Sequence, residues 1–295
     1  MIRLQAPAKI NLTLDILGKR EDGFHDLVSV FQAVSLADEL AIEATPESGR
    51  DLLEVSGPFA EGIPTDGSNL VLKAVAKLRE GVAASAHSLR LRLVKNVPSG
   101  AGLGGGSSDA VAALLGASRI WGLKAGAGAL ASLAAQVGSD CPFFLRGGTQ
   151  LAGGRGERLE PLLRQREFGI LIVVPDISVG TREAYARLDP AQDFGERTNP
   201  AALLDWLSSF KTDKPPKLHN AFQRSCAEAH TEVRDTLAEL ERVGAHSVAL
   251  SGSGSACFGL FLTARQARLA AKEWRLPARL VRPCEPADHG VRIIE

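Results

Sequence analysis

Positions 98 to 109 read Pro98-Ser99-Gly100-Ala101-Gly102-Leu103-Gly104-Gly105-Gly106-Ser107-Ser108-Asp109, with five glycines in seven positions. Such a run destabilises the interior of a helix or strand, because glycine loses the most backbone entropy and offers no side chain to pack. Before it, Leu89, Leu91 and Leu93 alternate with Arg90, Arg92 and Val94, the period of a strand that ends at Lys95-Asn96-Val97-Pro98. After it, the Ala- and Leu-rich segment 110–121 reads as a mostly buried helix. Strand, glycine loop and helix in that order let successive backbone N–H groups converge on an anion at the positive end of a helix, and phosphate is the natural guest.

Gly100, Gly102 and Gly105 satisfy G-x-G-x-x-G, but no acidic residue stands about 20 positions on, where a dinucleotide site holds the ribose. No lysine precedes Ser107, so the loop is not the G-x-x-x-x-G-K-[ST] type either. A flexible loop capped by Ser107 or Ser108 is the remaining plain reading. A second small-residue loop, Ser251-Gly252-Ser253-Gly254-Ser255, separates apolar strands 247–250 and 256–261. It reads either as a simple β-turn or as a second set of donors facing the first loop across a phosphate.

The opening is β-rich. Ile10, Leu12, Leu14 and Ile16 alternate with Lys9, Asn11, Thr13 and Asp15, the pattern of a half-buried strand with an unusual polar face. A turn-like run, 18–23, leads to apolar stretches 27–34 and 40–44. Helical spacing appears from 68, at 127–137, at 181–188, around 231–243 and at 265–274, with a compact strand at 169–174 and a loop at 211–217. Segregated strands and helices predict an α+β fold in two lobes, residues 1–150 and 151–295 with an approximate boundary, rather than a regular alternating sheet.

Lys+Arg and Asp+Glu tie at 34 each, so no global field draws in nucleic acid or an anionic membrane, and an anionic ligand must be held by a local site. The longest uncharged stretch, 247–263, is too rich in Ser and Gly to cross lipid. Cys141, Cys226, Cys257 and Cys284 are far apart and read as isolated thiols, not a disulfide frame or a zinc site. With neither a secretory nor a transit pattern at the start, the expected compartment is the cytoplasm.

Three segments together resemble the GHMP kinase superfamily: Ala6-Pro7-Ala8-Lys9-Ile10-Asn11-Leu12, Pro98 to Ser108, and Leu250 to Ser255, in family order. The resemblance implies a two-lobed α+β fold, a phosphate loop without the P-loop lysine, and ATP as phosphoryl donor. Arg20-Glu21-Asp22-Gly23-Phe24-His25 with Leu27, the triple glycine 104–106, Gly138-Ser139-Asp140-Cys141-Pro142-Phe143-Phe144 and His219-Asn220-Ala221-Phe222 narrow it to one branch. That branch phosphorylates the 2-hydroxyl of a cytidine-diphosphate-linked methylerythritol in non-mevalonate isoprenoid synthesis. Another GHMP small-molecule kinase, of homoserine or mevalonate type, and a silent ATP-binding module are the alternatives.

The resemblance assigns catalysis to Asp140 as base and Lys9 as its cationic neighbour, although alone they read as a turn aspartate and a solvated strand lysine. It assigns ATP binding to Pro98, Ser99, Gly100, Ala101, Gly102, Leu103, Gly104, Gly105, Gly106, Ser107 and Ser108, with Asn69, Leu70 and Lys95 lining the base. Asn11 shares the Lys9 face; Phe24 and His25 are expected on the cytosine, with Tyr185, the only tyrosine, opposite. Ser251, Gly252, Ser253 and Gly254 form the second glycine loop. Mg²⁺ is expected to travel with ATP, with Ser107 its most plausible protein ligand and no acidic ligand assignable. The implied partners are small molecules, without nucleic acid or membrane.

Overall fold

A computed structural model describes residues 1–45, 49–81, 86–124, 126–164, 166–195, 200–209 and 214–295. Part of the loop expected at 211–217 lies outside the described residues. In chain order the elements are β1 (Ile2–Lys19), β2 (His25–Ala44), β3 (Leu52–Ser56), α1 (Leu70–Glu80), β4 (Leu89–Val94), α2 (Gly105–Ile120), α3 (Ala127–Val137), α4 (Cys141–Arg146), β5 (Thr149–Gly154) and β6 (Arg158–Leu162). There follow β7 (Gly169–Val174), α5 (Thr181–Ala186), α6 (Pro190–Asp193), α7 (Pro200–Ser208), α8 (Gln223–Ala229), α9 (Thr231–Arg242), β8 (Ser247–Leu250), β9 (Cys257–Phe261), α10 (Ala264–Glu273), β10 (Leu280–Cys284) and β11 (Arg292–Ile293).

Among the described residues the strands form two sheets with the helices segregated from them, an α+β fold. The larger runs β11-β1-β2-β4-β3, with β5 pairing β2 and carrying β6; the smaller runs β10-β7-β9-β8. The apolar stretches 27–34 and 40–44, read separately in the sequence, belong to one strand, β2, which pairs antiparallel with β1 along most of its length. Register shifts between Pro7 and Lys9, and between Asn11 and Thr13, bend the pair where its polar residues begin.

The alternating face of β1 departs from the half-buried pattern. Lys9, Asn11, Thr13 and Asp15 are all buried, as are Ile10, Leu12, Leu14 and Ile16 on the other face. The apolar side explains why: Ala8, Ile10 and Leu12 enter one core with Ile170, Ile172 and Val174 of β7 and Phe258 and Leu260 of β9. That core also takes Val97, Ala101 and Leu103, so the glycine loop is anchored where the two sheets meet. Helices α1 and α2 pack in a separate core on the larger sheet, filled by Leu4, Leu40, Ile42, Val71, Leu91 and Leu114.

Candidate active site

A chain of side-chain hydrogen bonds ties Lys9 and Asn11, on the polar face of β1, to β2. Lys9 Nζ donates to Asn11 Oδ1 at 2.6 Å, Asn11 Nδ2 donates to Ser29 Oγ at 2.9 Å, and Ser29 donates to the Thr13 carbonyl. This chain fixes the Lys9 ammonium 3.7 Å from Asp140 Oδ2 and 4.9 Å from the centre of the Phe31 ring. Asp140 stands just before α4 and makes no cap bond with it, so its carboxylate, 34% exposed, faces the cleft. Burial pulls the Lys9 ammonium below the usual lysine range, while Asp140 holds it up. The pair offers a proton acceptor and a fixed positive charge to one incoming hydroxyl.

The glycine loop lies alongside. Gly100, Gly102 and Gly104 take φ of +68, +80 and +69, and the Lys9 backbone N–H donates to the Leu103 carbonyl at 2.9 Å. A Cβ on Gly104 would come within 2.8 Å of Phe144 and 3.1 Å of the Lys9 side chain, so only glycine permits this approach to β1. Helix α2 begins at Gly105 with no side-chain cap, so neither Ser107 nor Ser108 closes it and its first N–H groups remain for an anion. Ser108 is itself buried, its hydroxyl without a hydrogen-bond partner among the described residues and its backbone N–H already donating to the Gly104 carbonyl at 3.0 Å.

The second glycine loop does not face the first across a gap. Ser251 Oγ donates to the Gly102 carbonyl at 3.0 Å, Ala256 N donates to the Ala101 carbonyl at 3.0 Å, and a Cβ on Gly102 would run into the Ser251 carbonyl. The glycines let the two loops pack closely, so the second buttresses the first. Gly252 and Ser253 still reach the cleft, where they line one pocket with Lys9, Asn11, Gly102, Gly104 and Asp140. Asn220 holds this loop, its amide donating to the Leu250 and Gly252 carbonyls at 2.7 and 2.9 Å. Ser253 Oγ is 3.2 Å from Thr181 Oγ1.

At the other end of the cleft, His25 stacks directly on Tyr185, with ring centroids 4.6 Å apart and 23° between planes. A cytosine sandwiched between them would need about 7 Å, twice the ~3.5 Å carbon contact. Tyr185 therefore does not stand across a gap from His25; it covers that ring and meets Phe222 edge-on at 4.9 Å. Burial, with Asp140 nearby, raises the Tyr185 hydroxyl above its ordinary value. Phe24 is half exposed, with the Arg155 guanidinium over its ring at 4.5 Å.

The residues expected around the ATP base divide. Leu70 lies 3.6 Å from where a Cβ on Gly106 would be, beside the start of α2. Asn69 caps α1, its Oδ1 accepting from Val71 N at 2.9 Å and its Nδ2 donating to the Pro64 carbonyl at 2.7 Å. Its amide is thus committed to the fold. Lys95, expected to line the base, is instead buried between Asp38 and Asp109, its ammonium 2.7 Å from Asp109. Against burial, Asp109 and Asp38 lift the Lys95 ammonium above its usual range; burial pushes the Asp109 carboxyl up, while Lys95 pulls it back down. Asp38 also accepts from the backbone N–H groups of Asn96 and Val97, so the triad fastens the start of the loop to α2. Lys95 is a positioning residue whose ammonium cannot also face a nucleotide.

Arg155, Thr181 and Phe222 line the cleft without having been singled out for it. The available signal was the Gly153-Gly154-Arg155-Gly156 turn, a cation among glycines.

The chain matches the description "GHMP kinases N terminal domain" over residues 69–148 and "GHMP kinases C terminal" over residues 202–278. It is 40% identical over 284 residues to a 4-diphosphocytidyl-2-C-methyl-D-erythritol kinase of Prochlorococcus marinus (strain MIT 9303), covering 92% of this chain and 88% of that protein. A protein of the same name from Nocardia farcinica (strain IFM 10152) is 37% identical over 300 residues, covering 100% and 96%. The crystal structure of a 4-(cytidine 5'-diphospho)-2C-methyl-D-erythritol kinase superposes with a TM-score of 0.81 at 33% identity, over 97% of this chain and 99% of the other. A homoserine kinase from Cytophaga hutchinsonii shares the fold, with a TM-score of 0.73 at 18% identity over 99% and 97% of the two chains. With both halves matched, and relatives this similar along nearly its whole length, the chain belongs to the GHMP kinase family.

Proposed function

We propose that the protein is an ATP-dependent kinase that phosphorylates the 2-hydroxyl of 4-diphosphocytidyl-2-C-methyl-D-erythritol, a step of non-mevalonate isoprenoid precursor synthesis. The observation that carries the chemistry is the Lys9–Asp140 pair, 3.7 Å apart in a cleft shared with Gly102 and Gly104. The substrate follows from the relatives that match along the whole chain, whereas the homoserine kinase likeness reaches only the fold.

Phosphoryl transfer asks the protein for position and for charge neutralisation. The N–H groups of the glycine loop and the start of α2 hold the ATP phosphates. Asp140 accepts the proton of the acceptor hydroxyl as its oxygen bonds to the γ-phosphorus; the bond from that phosphorus to the β–γ bridging oxygen breaks, and ADP leaves. The Lys9 ammonium stabilises the negative charge that develops on the attacking oxygen. Asn11, fixed by Ser29, keeps Lys9 on the cleft side of β1.

Mg²⁺ fits this site as a cation carried by ATP. Among the described residues no group of three His, Cys, Asp or Glu side chains could hold a metal, and Asp109 is engaged by Lys95. The Ser107 hydroxyl, in the first turn of α2, is the protein donor that would join phosphate oxygens and water around it. Bound there, Mg²⁺ neutralises phosphate charge. Among the described residues no helix is long and apolar enough to cross a membrane. The cytoplasm is the compartment inferred, supported by four free, buried cysteines whose thiols burial pushes up, Cys226 to about 11 and Cys141 to about 12.

Incubation with ATP, Mg²⁺ and the cytidine substrate, beside homoserine and mevalonate, tests the reading by ADP release. Turnover with the cytidine substrate alone is expected, and Asp140→Asn should lower kcat by about 10²–10⁴ as a lost general base does. Turnover of homoserine or mevalonate instead would overturn the substrate. ATP binding without any turnover would leave a silent nucleotide-binding protein.

A further inference from the structure

Most cations around the cleft are committed to protein carboxylates: Lys9 to Asp140, Lys95 to Asp38 and Asp109, Arg20 to Asp22 and Asp26. Arg155 is different. It sits in the tight turn between β5 and β6, where Gly154 and Gly156 take φ of +68 and +106. The Glu157 carboxylate accepts from the Arg155 backbone N–H at 2.6 Å and so serves the turn itself. Among the described residues the guanidinium has no ion-pair partner; its contact is the face of Phe24 at 4.5 Å. Asp22 feels its charge only as the weakest of several influences and is bound to Arg20 at 3.1 Å.

The turn also spans the two ends of the cleft. Arg155 lies over Phe24, beside the stacked His25 and Tyr185, while a Cβ on the next residue, Gly156, would stand 3.7 Å from Asp140 Oδ1. A guanidinium stacked on an aromatic face keeps its in-plane N–H groups outward, and that planar fork matches the paired oxygens of a phosphate. An acceptor carrying its nucleoside at Phe24–His25 and its hydroxyl at Asp140 must pass its diphosphate between them. We propose that Arg155 is a specificity-determining residue whose guanidinium binds the diphosphate of the acceptor substrate. The proposal rests on the function above and adds to it the group that reads the charged middle of the substrate.

Calorimetric titration of cytidine and of cytidine diphosphate, with ADP saturating the glycine loop, separates the two ideas without turnover. The wild-type protein should prefer the diphosphate by about tenfold or more, with a preference that shrinks as salt rises. Arg155→Gln should lose about tenfold for the diphosphate and much less for cytidine, and Arg155→Lys should recover part of the loss. In turnover, Arg155→Gln should raise KM for the acceptor while kcat and KM for ATP stay within about twofold. An Arg155→Gln protein that keeps the wild-type diphosphate preference, or loses kcat with KM unchanged, overturns the proposal and leaves the kinase assignment standing. A wild-type protein that binds neither cytidine ligand overturns both.

Discussion

Lys9 is the residue at which sequence pattern and structure part most instructively. Strand alternation places it on the polar face of β1 and makes that face look solvated; the structure buries it, with Asn11 and Asp140 as partners. Nothing in β1 itself announces this, because the groups that cover Lys9, among them Phe31 and Gly104, come from other parts of the chain. The motif legible through family resemblance named the residue, and only tertiary structure supplies its environment. That environment sets a pH dependence. Burial lowers the Lys9 pKa from 10.5, and the chemistry needs the ammonium, so activity falls as pH rises through the lowered value. The alkaline limb of kcat/KM should therefore lie below the ordinary lysine range. In Lys9→Arg the cation stays charged, so the activity that remains should lack this limb; a limb unchanged in that variant would assign it to another group. Lys9→Met should cost about 10² or more in kcat, the scale of a lost transition-state donor.

The strand, glycine loop and helix around residues 98–109 are legible as elements because their composition changes abruptly at each boundary. Their contact with the second glycine loop is not, since the Ser251–Gly102 bond joins a serine hydroxyl to a carbonyl 149 residues away, and nothing local in the sequence marks that pairing. The β5–β6 hairpin is not legible for a related reason: its strands are short, and its turn is recognisable only as a cluster of glycines. The loop contact predicts a difference between two chemically identical substitutions. Gly100 and Gly102 both have positive φ, so Gly→Ala at either costs about 1–2 kcal/mol for the left-handed backbone. At Gly100 the new methyl meets nothing within 4 Å, whereas at Gly102 it collides with the Ser251 carbonyl. Gly102→Ala should therefore be clearly less stable than Gly100→Ala in urea unfolding and should lose more activity. Equal losses would mean that the two loops are not packed together in solution.

For the whole molecule, the two lobes drawn from the sequence are proposed as parts of one folding unit. The line between residues 150 and 151 falls inside β5, and the larger sheet takes β6 and β11 from beyond it. A single apolar core joins Ile10 and Leu12 of β1 to Ile170, Ile172 and Phe258 of the smaller sheet, and the glycine loop lies against it through Ala101 and Leu103. Dividing the chain at 150/151 would cut through β5, take most of it and β6 away from β2, strip β11 from β1 and expose that core on both pieces. Each fragment made alone should therefore fail to show a cooperative transition. The intact protein should unfold in one calorimetric transition, with calorimetric and van't Hoff enthalpies in agreement. Because the cleft is built from both sides of this core, a ligand in it must stabilise the entire transition. ADP at about 100 times its Kd should add about 2.7 kcal/mol and shift that single peak as a unit. Two resolved peaks, with ADP moving only one, would show instead that the lobes unfold independently and that their shared core contributes little to cooperativity.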